Sequence, residues 1–131
     1  MSEYLNKYAA FVNMLWTKTK SAKVSWEFDN TRNSVSVWNG DVLLSLLKSE
    51  DDNFEDVYSL SLINRAGVFL ESFSDTDLDQ ISTGDDHQNY FVKMRNLYEL
   101  AKRQATGADK ALDDFMRALE KDQLDLDDVP F

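Results

Sequence analysis

Apolar positions change period twice along the chain, and the changes mark out the elements. Over residues 3–21, Tyr4, Leu5, Tyr8, Phe11, Val12, Leu15 and Trp16 recur at the three-four spacing of an amphipathic helix. Lys18 and Lys20 fall in its last turn, where cations suit the helix dipole. From Lys23 the period is two: Val24, Trp26 and Phe28 alternate with Ser25, Glu27 and Asp29. Ser34–Trp38 continues in that period with Val35 and Val37 on one face. Asn39-Gly40 then predicts a two-residue hairpin turn of type I′, with Val37 opposite Val42 and Val35 opposite Leu44. The third strand runs to about Ser49, and 50–56 is an acidic loop. The segments 57–64 and 68–74 form a second hairpin across Arg65-Ala66-Gly67. Tyr58, Leu60 and Leu62 share one face of its first strand, Phe69 and Phe73 one face of its second.

Residues 75–84 are polar and without periodicity, so they read as a loop. A helix is expected from Asp85, with Gln88 completing a variant capping box and with Phe91, Met94, Tyr98, Ala101 and Ala105 as its buried stripe. Gly107 suits the left-handed residue that ends it. Thr106-Gly107-Ala108-Asp109 then reads as a second capping box. The helix it opens carries Ala108, Ala111, Leu112, Phe115 and Leu119 on the face expected to pack against the sheet. The expected fold is α+β: an N-terminal helix, a five-strand antiparallel meander, a C-terminal helical hairpin and a short disordered acidic tail. The division is a single domain over 1–121 and an interaction tail over 122–131.

Composition narrows the function. With 131 residues, 43% hydrophobic and 12% aromatic, the chain can bury a core and is not a disordered acidic protein. It has no cysteine, hence no disulfide, thiol nucleophile or thiolate metal site. No apolar run is long enough to span a membrane, and MSEYLNKYAAF lacks the features of a signal peptide, so a cytoplasmic location is expected. The net charge of −10 is unevenly placed. Residues 1–24 hold Lys7, Lys18, Lys20 and Lys23 against Glu3 alone. Residues 25–90 hold only Arg32, Lys48 and Arg65 against a large acidic excess. A uniformly acidic protein is repelled by nucleic acid, but here the two ends can present basic patches.

The C-terminal residues carry the clearest signal. Asp125, Asp127, Asp128, Val129, Pro130 and Phe131 combine acids, an extended-biased Pro and an apolar end. A partner's pocket could bury the Phe131 ring, worth about 1.5–3 kcal/mol. An Arg could take the terminal carboxylate, and basic residues around the pocket could steer the acids. Asp127-Asp128-Val129-Pro130-Phe131 resembles the acidic C-terminal tip of bacterial single-stranded DNA-binding proteins, an Asp run followed by an aliphatic residue, Pro and Phe. In that family the tip docks helicases, exonucleases, primase and recombination mediators, and competes with DNA for the protein's own surface. The resemblance implies replication or repair partners with a basic, apolar tip-binding pocket, in a bacterial or phage setting. It covers about seven residues and implies nothing about 1–121, whose element order is not that of the family's OB barrel.

Single-strand binding needs aromatic platforms and a basic track. The candidates are Trp26 and Trp38, with Phe28 beside them, and Lys18, Lys20, Lys23, Arg32, Lys93, Arg95, Lys102 and Arg103. A helix-turn-helix role for the last two helices is unfavourable, because Asp109, Asp113, Asp114 and Glu120 would be repelled from the major groove. Asp75, Asp77 and Asp79, with Thr83 and Asp86, approach the spacing of a calcium loop. Gln80 stands where that loop needs Gly, which leaves a solvated acidic loop. His87, the sole histidine, has no nucleophile near it in sequence. No phosphate loop, hydrolase elbow or zinc spacing is present. The expectation is a non-enzymatic protein of DNA metabolism, without cofactor or metal, that docks partners through its tip: either a single-stranded DNA-binding protein of non-OB fold or an accessory protein that carries the same tip. The alternative is an acidic adaptor or inhibitor, such as a DNA mimic from a mobile element. A homodimer through an exposed sheet edge is open to either.

Overall fold

A computed structural model describes residues 2–79 and 89–121, with side chains from Tyr4 onward. Helix α1 spans Ser2–Lys20. It is followed by β1 (Glu27–Asp29), β2 (Ser34–Asn39), β3 (Val42–Glu50), β4 (Asp56–Asn64) and β5 (Phe69–Ser74). A five-residue helix, α2 (Asp75–Asp79), precedes α3 (Tyr90–Thr106) and α4 (Ala108–Glu120). The strands form one antiparallel sheet in the order β1-β2-β3-β4-β5. This is the expected α+β architecture, with α2 added and the first strand shortened.

Register assigns each residue to a face. Phe28, Val35, Leu46, Leu60 and Phe73 lie directly opposite one another across all five strands. This row, with Leu44 and Tyr58, meets Val12 and Leu15 of α1, Leu78 of α2, and Met94, Leu97, Tyr98 and Ala101 of α3 in the core. The opposite face carries another continuous row, Glu27, Ser36, Ser45, Ser61 and Ser72. Side chains alternate along a strand, so these hydroxyls face away from the helices. Ser61 and Ser72 hydrogen-bond each other at 3.1 Å.

The first hairpin turns one step later than the sequence suggested. Asn39 pairs with Val42, so the loop is Gly40-Asp41, with Val37 opposite Leu44 and Val35 opposite Leu46. Positive φ occurs at Gly40 (61°) and not at Asp41, which fits a type II′ turn rather than I′. A slip of two residues keeps every side chain on its face, so the apolar pattern survives the error. The second hairpin differs more. Leu62 pairs with Glu71 but Ile63 with Phe69, which leaves Leu70 as a bulge. The extra residue flips the strand: Phe73 is in the core, while Phe69 is exposed on the outer face. Phe69 and Phe73 therefore do not share a face.

Residues 75–79 are helical rather than a loop. Ser74 caps α2: its Oγ accepts from the Asp77 N–H at 3.3 Å, and Asp77 Oδ2 accepts from the Ser74 N–H at 2.9 Å. Leu78 is thereby driven into the core. Asp75 is buried and its Oδ1 accepts the Tyr58 N–H at 2.8 Å, holding α2 to β4. Burial raises the Asp75 carboxyl above its ordinary 3.8, against the lowering effect of that hydrogen bond. Helical geometry breaks the calcium-loop reading of Asp75, Asp77 and Asp79, and its remaining positions lie outside the described residues.

Helix α3 begins later than expected, at Tyr90. Its N-cap is Asn89, whose side chain accepts from the Val92 N–H. The Asp85–Gln88 cap and His87 lie outside the described residues. Gly107 ends α3 in the left-handed conformation, as the sequence suggests. The Thr106–Asp109 capping box does not form: Gly107 is the N-cap of α4 with no side-chain bond, and Asp109 instead pairs with Arg103. Helix α4 packs against α3, not the sheet, and none of its residues is buried. The tail from Asp122 lies outside the described residues.

Candidate nucleic-acid interface

The ends of α1 and α3, which carry basic residues, are joined by a short set of buried and half-buried bonds. Helix α1 ends in a Schellman motif: the Lys23 N–H donates to the Lys18 carbonyl and the Ala22 N–H to the Thr19 carbonyl. Ala22 occupies the left-handed position, φ 57°, usually held by glycine. Thr19 is fully buried, and its Oγ1 accepts from Trp26 Nε1 at 3.1 Å, tying the segment before β1 to the helix end. Gln104 Nε2 donates to the Thr19 carbonyl at 2.8 Å and ties in α3. The Lys102 ammonium lies 5.0 Å from the centre of the half-buried Phe28 ring.

Thr19 and Gln104 thus set Lys20 and Lys23, at and after the end of α1, and Lys102 and Arg103, at the end of α3, beside the β1 edge. Lys18 stands on the α1 flank that also carries Lys7 and Met14. Lys18, Lys20, Lys23 and Arg103 are exposed, and Lys102 is half-buried. An open cavity of about 430 Å³ lies there, lined by Ala22, Val24, Trp26, Arg103 and Lys110 among others. Part of the charge is already engaged. Arg103 pairs with Asp109, and Lys110 with Asp114 at 2.8 Å. Lys20 lies 5.6 Å from the Trp16 ring centre.

The other candidates stand apart. Trp26 is only 5% exposed with its Nε1 bonded, so it is a core residue and corrects the expectation of a stacking platform. Trp38 is 46% exposed but stands on the outer face, across the sheet from α1 and α3. The Arg65 guanidinium lies 4.8 Å from its ring centre and bonds Asp41 at 2.7 Å. Arg32 sits in the β1–β2 turn beside Asp29, at 4.0 Å. Lys93, in the first turn of α3, is half-buried and donates to Asn13 Oδ1 at 2.8 Å; burial lowers its pKa. Arg95 is exposed near the Phe91 ring.

Acidic residues collect elsewhere. A cavity of about 510 Å³ is lined by Asp51, Glu55, Asp56, Asp75, Asp79 and Phe91. Helix α3 runs from this cleft, at Phe91, to the basic edge at Arg103, about 18 Å along its axis. Among the described residues no cluster of His, Asp and Glu could hold a metal ion. No helix of the described residues is long and apolar enough to cross a membrane.

Sequence reasoning did not find Gln104 or Arg65. A glutamine at a helix end has no periodic signature, and Arg65 reaches Trp38 only because β3–β4 pairing sets the two hairpin turns side by side. The Asp125, Asp127, Asp128, Val129, Pro130 and Phe131 set lies outside the described residues. The chain matches no family model, no curated protein and no solved structure.

Proposed function

We infer that the protein is a non-enzymatic component of DNA metabolism. It docks replication or repair proteins through Asp125–Phe131 and contacts single-stranded DNA along the α1–α3 edge. The observation that carries the reading is charge segregation. In a chain of net charge −10, Lys20, Lys23, Lys102 and Arg103 lie beside the junction of α1 and α3, and the acidic cleft lies about a helix length away. The Asp-Asp-Val-Pro-Phe sequence supports the partner class by its resemblance to the tip of single-stranded DNA-binding proteins.

Fluorescence anisotropy with labelled oligo-dT tests the core. Four or five phosphate contacts on a single strand give a log–log salt slope of about −3. Lys20→Glu with Lys23→Glu should weaken binding at least tenfold at low salt, and removing residues 125–131 should strengthen it. Deleting Val129–Phe131 should abolish capture of a tip-binding helicase or exonuclease while leaving the circular dichroism spectrum unchanged. Unchanged capture after that deletion refutes the docking role.

A second reading draws on the cleft of Asp51, Glu55, Asp56 and Asp79: an acidic adaptor or DNA mimic that occupies a basic protein surface. Absence of oligo-dT binding both with and without the tail selects it.

A further inference from the structure

Helix α4 presents an apolar stripe that no other described residue covers. Leu112, Phe115, Met116 and Leu119 stand at i, i+3, i+4 and i+7 and are all exposed, Phe115 by 56%. Elsewhere an apolar groove of about 380 Å³ runs between α1 and the inner face of the sheet. It is lined by Tyr4, Phe11, Met14, Leu62 and Phe73, with Lys7 also among its lining. Met14 is 64% exposed there. No described residue of α4 lines this groove, and the Gly107 turn and the Arg103–Asp109 pair hold α4 against the end of α3.

We propose that a second copy of this chain supplies the missing partner, α4 of each copy lying in the α1 groove of the other. The groove has the form that accepts an amphipathic helix through i, i+3, i+4 and i+7 anchors, and α4 offers those anchors. Charge selects the same pairing. Lys7, Met14 and Lys18 lie along one line of α1, at i, i+7 and i+11, so lysines flank the groove's exposed methionine. On α4, Asp109 is taken by Arg103, and Asp114 by Lys110 and Arg117. Asp113 and Glu120 remain without an ion pair among the described residues, and both lie on the Met116 side of the apolar stripe. An acidic helix edge therefore meets a basic groove edge. Reciprocal exchange uses both patches twice and closes on itself, as a two-fold dimer requires.

Light scattering after size exclusion, over a wide range of concentration, should give about twice the 15.1 kDa chain mass. Phe115→Glu on the helix and Met14→Glu in the groove should each halve the mass. Both positions are exposed in the single chain, so circular dichroism should be unchanged, while the melting temperature should lose its dependence on protein concentration. The chain has no cysteine, so Ala111→Cys, exposed at the edge of the stripe, carries a benzophenone label at one site and leaves the anchors in place. Cross-linking a mixture of isotopically light and heavy protein should join α4 of one copy to residues 4–14 of the other. A wild-type monomer throughout overturns the proposal. So does a Met14→Glu variant that stays dimeric, or a cross-link from α4 to α4, which would mark a helix pair.

Discussion

Replacing Thr19 by Val isolates the bond that fixes the basic edge. Thr19 is fully buried, and its hydroxyl is the acceptor for Trp26 Nε1 at 3.1 Å in a site where the indole is 5% exposed. Valine has nearly the same shape but cannot accept, so the indole N–H is left buried and unpaired. The net value of a neutral hydrogen bond is about 1 kcal/mol, and an orphaned buried donor costs about 1–3 kcal/mol. Thr19→Val should therefore lower stability by about 2 kcal/mol. With a urea m value of about 2 kcal/mol/M for a domain this size, the unfolding midpoint should fall by about 1 M with the m value unchanged. Thr19→Ser keeps the acceptor and removes only a methyl group, so its loss should stay near 1 kcal/mol. A loss under about 0.5 kcal/mol for Thr19→Val would mean that water reaches Nε1. The Thr19–Trp26 pair would then not be the sealed joint on which the placement of Lys18, Lys20 and Lys23 depends.

Other expectations follow from single residues. The Asp75 carboxyl is raised above 3.8 in the fold, chiefly by burial, so the folded state binds its proton more readily than the unfolded chain. Its contribution to stability is full below about pH 4 and is lost as pH rises through the folded-state value. Asp75→Asn keeps an acceptor for the Tyr58 N–H without the titration. Its stability relative to wild type, from urea titrations at pH 3.5 and pH 7, should be higher at pH 7, and an equal difference at both counts against the assignment. Ala22→Gly relieves a left-handed alanine and should stabilise by about 1 kcal/mol, seen as a rise of about 3–5 °C in Tm by calorimetry. Ser74→Ala removes the α2 cap and should cost about 1 kcal/mol in the same assay. Leu78→Ala, at a fully buried site, should cost about 2–5 kcal/mol by urea unfolding.

Elements set by periodicity were legible in the sequence; features set by a single contact were not. The three-four stripe of α1 and the alternation of β2, β3 and β4 predict elements that the structure contains. The sequence suggests strand from Val24 to Phe28, but only Glu27–Asp29 pairs, because Trp26 leaves the ladder to reach Thr19. The bulge at Leu70 adds one residue to β5, which no alternation pattern shows in advance. Helix α2 left a signal, the Ser74-to-Asp77 capping spacing, hidden in a run that reads as solvated acid. The stripe of α4 is apolar as its spacing predicts, but its neighbour is α3 rather than the sheet. Periodicity tells which face is apolar but not what covers it. For the candidate site, the lysines at the two ends were visible. Their meeting at one edge depends on Gln104 and Thr19, far apart in sequence. Trp26 and Trp38 look equivalent as platforms until register and burial separate them.

The serine row across the outer face of the sheet bears on how this sequence tolerates change. Ser36, Ser45, Ser61 and Ser72 divide the Trp38, Leu43, Ile63 and Phe69 row from Leu47 on the same face. Ser72 is exposed, Ser36 and Ser45 are half-buried and Ser61 is buried, so the hydroxyls keep polar atoms in the middle of a face on which no described helix packs. Exchanging Ser45 and Ser61 for valine would suit strand propensity and so strengthen each strand locally. It would also join the two apolar zones into one patch, and sheets meeting through such patches precipitate. A mutational scan scored for solubility rather than melting temperature should therefore find these small hydroxyls among the least replaceable positions of the sheet's outer face.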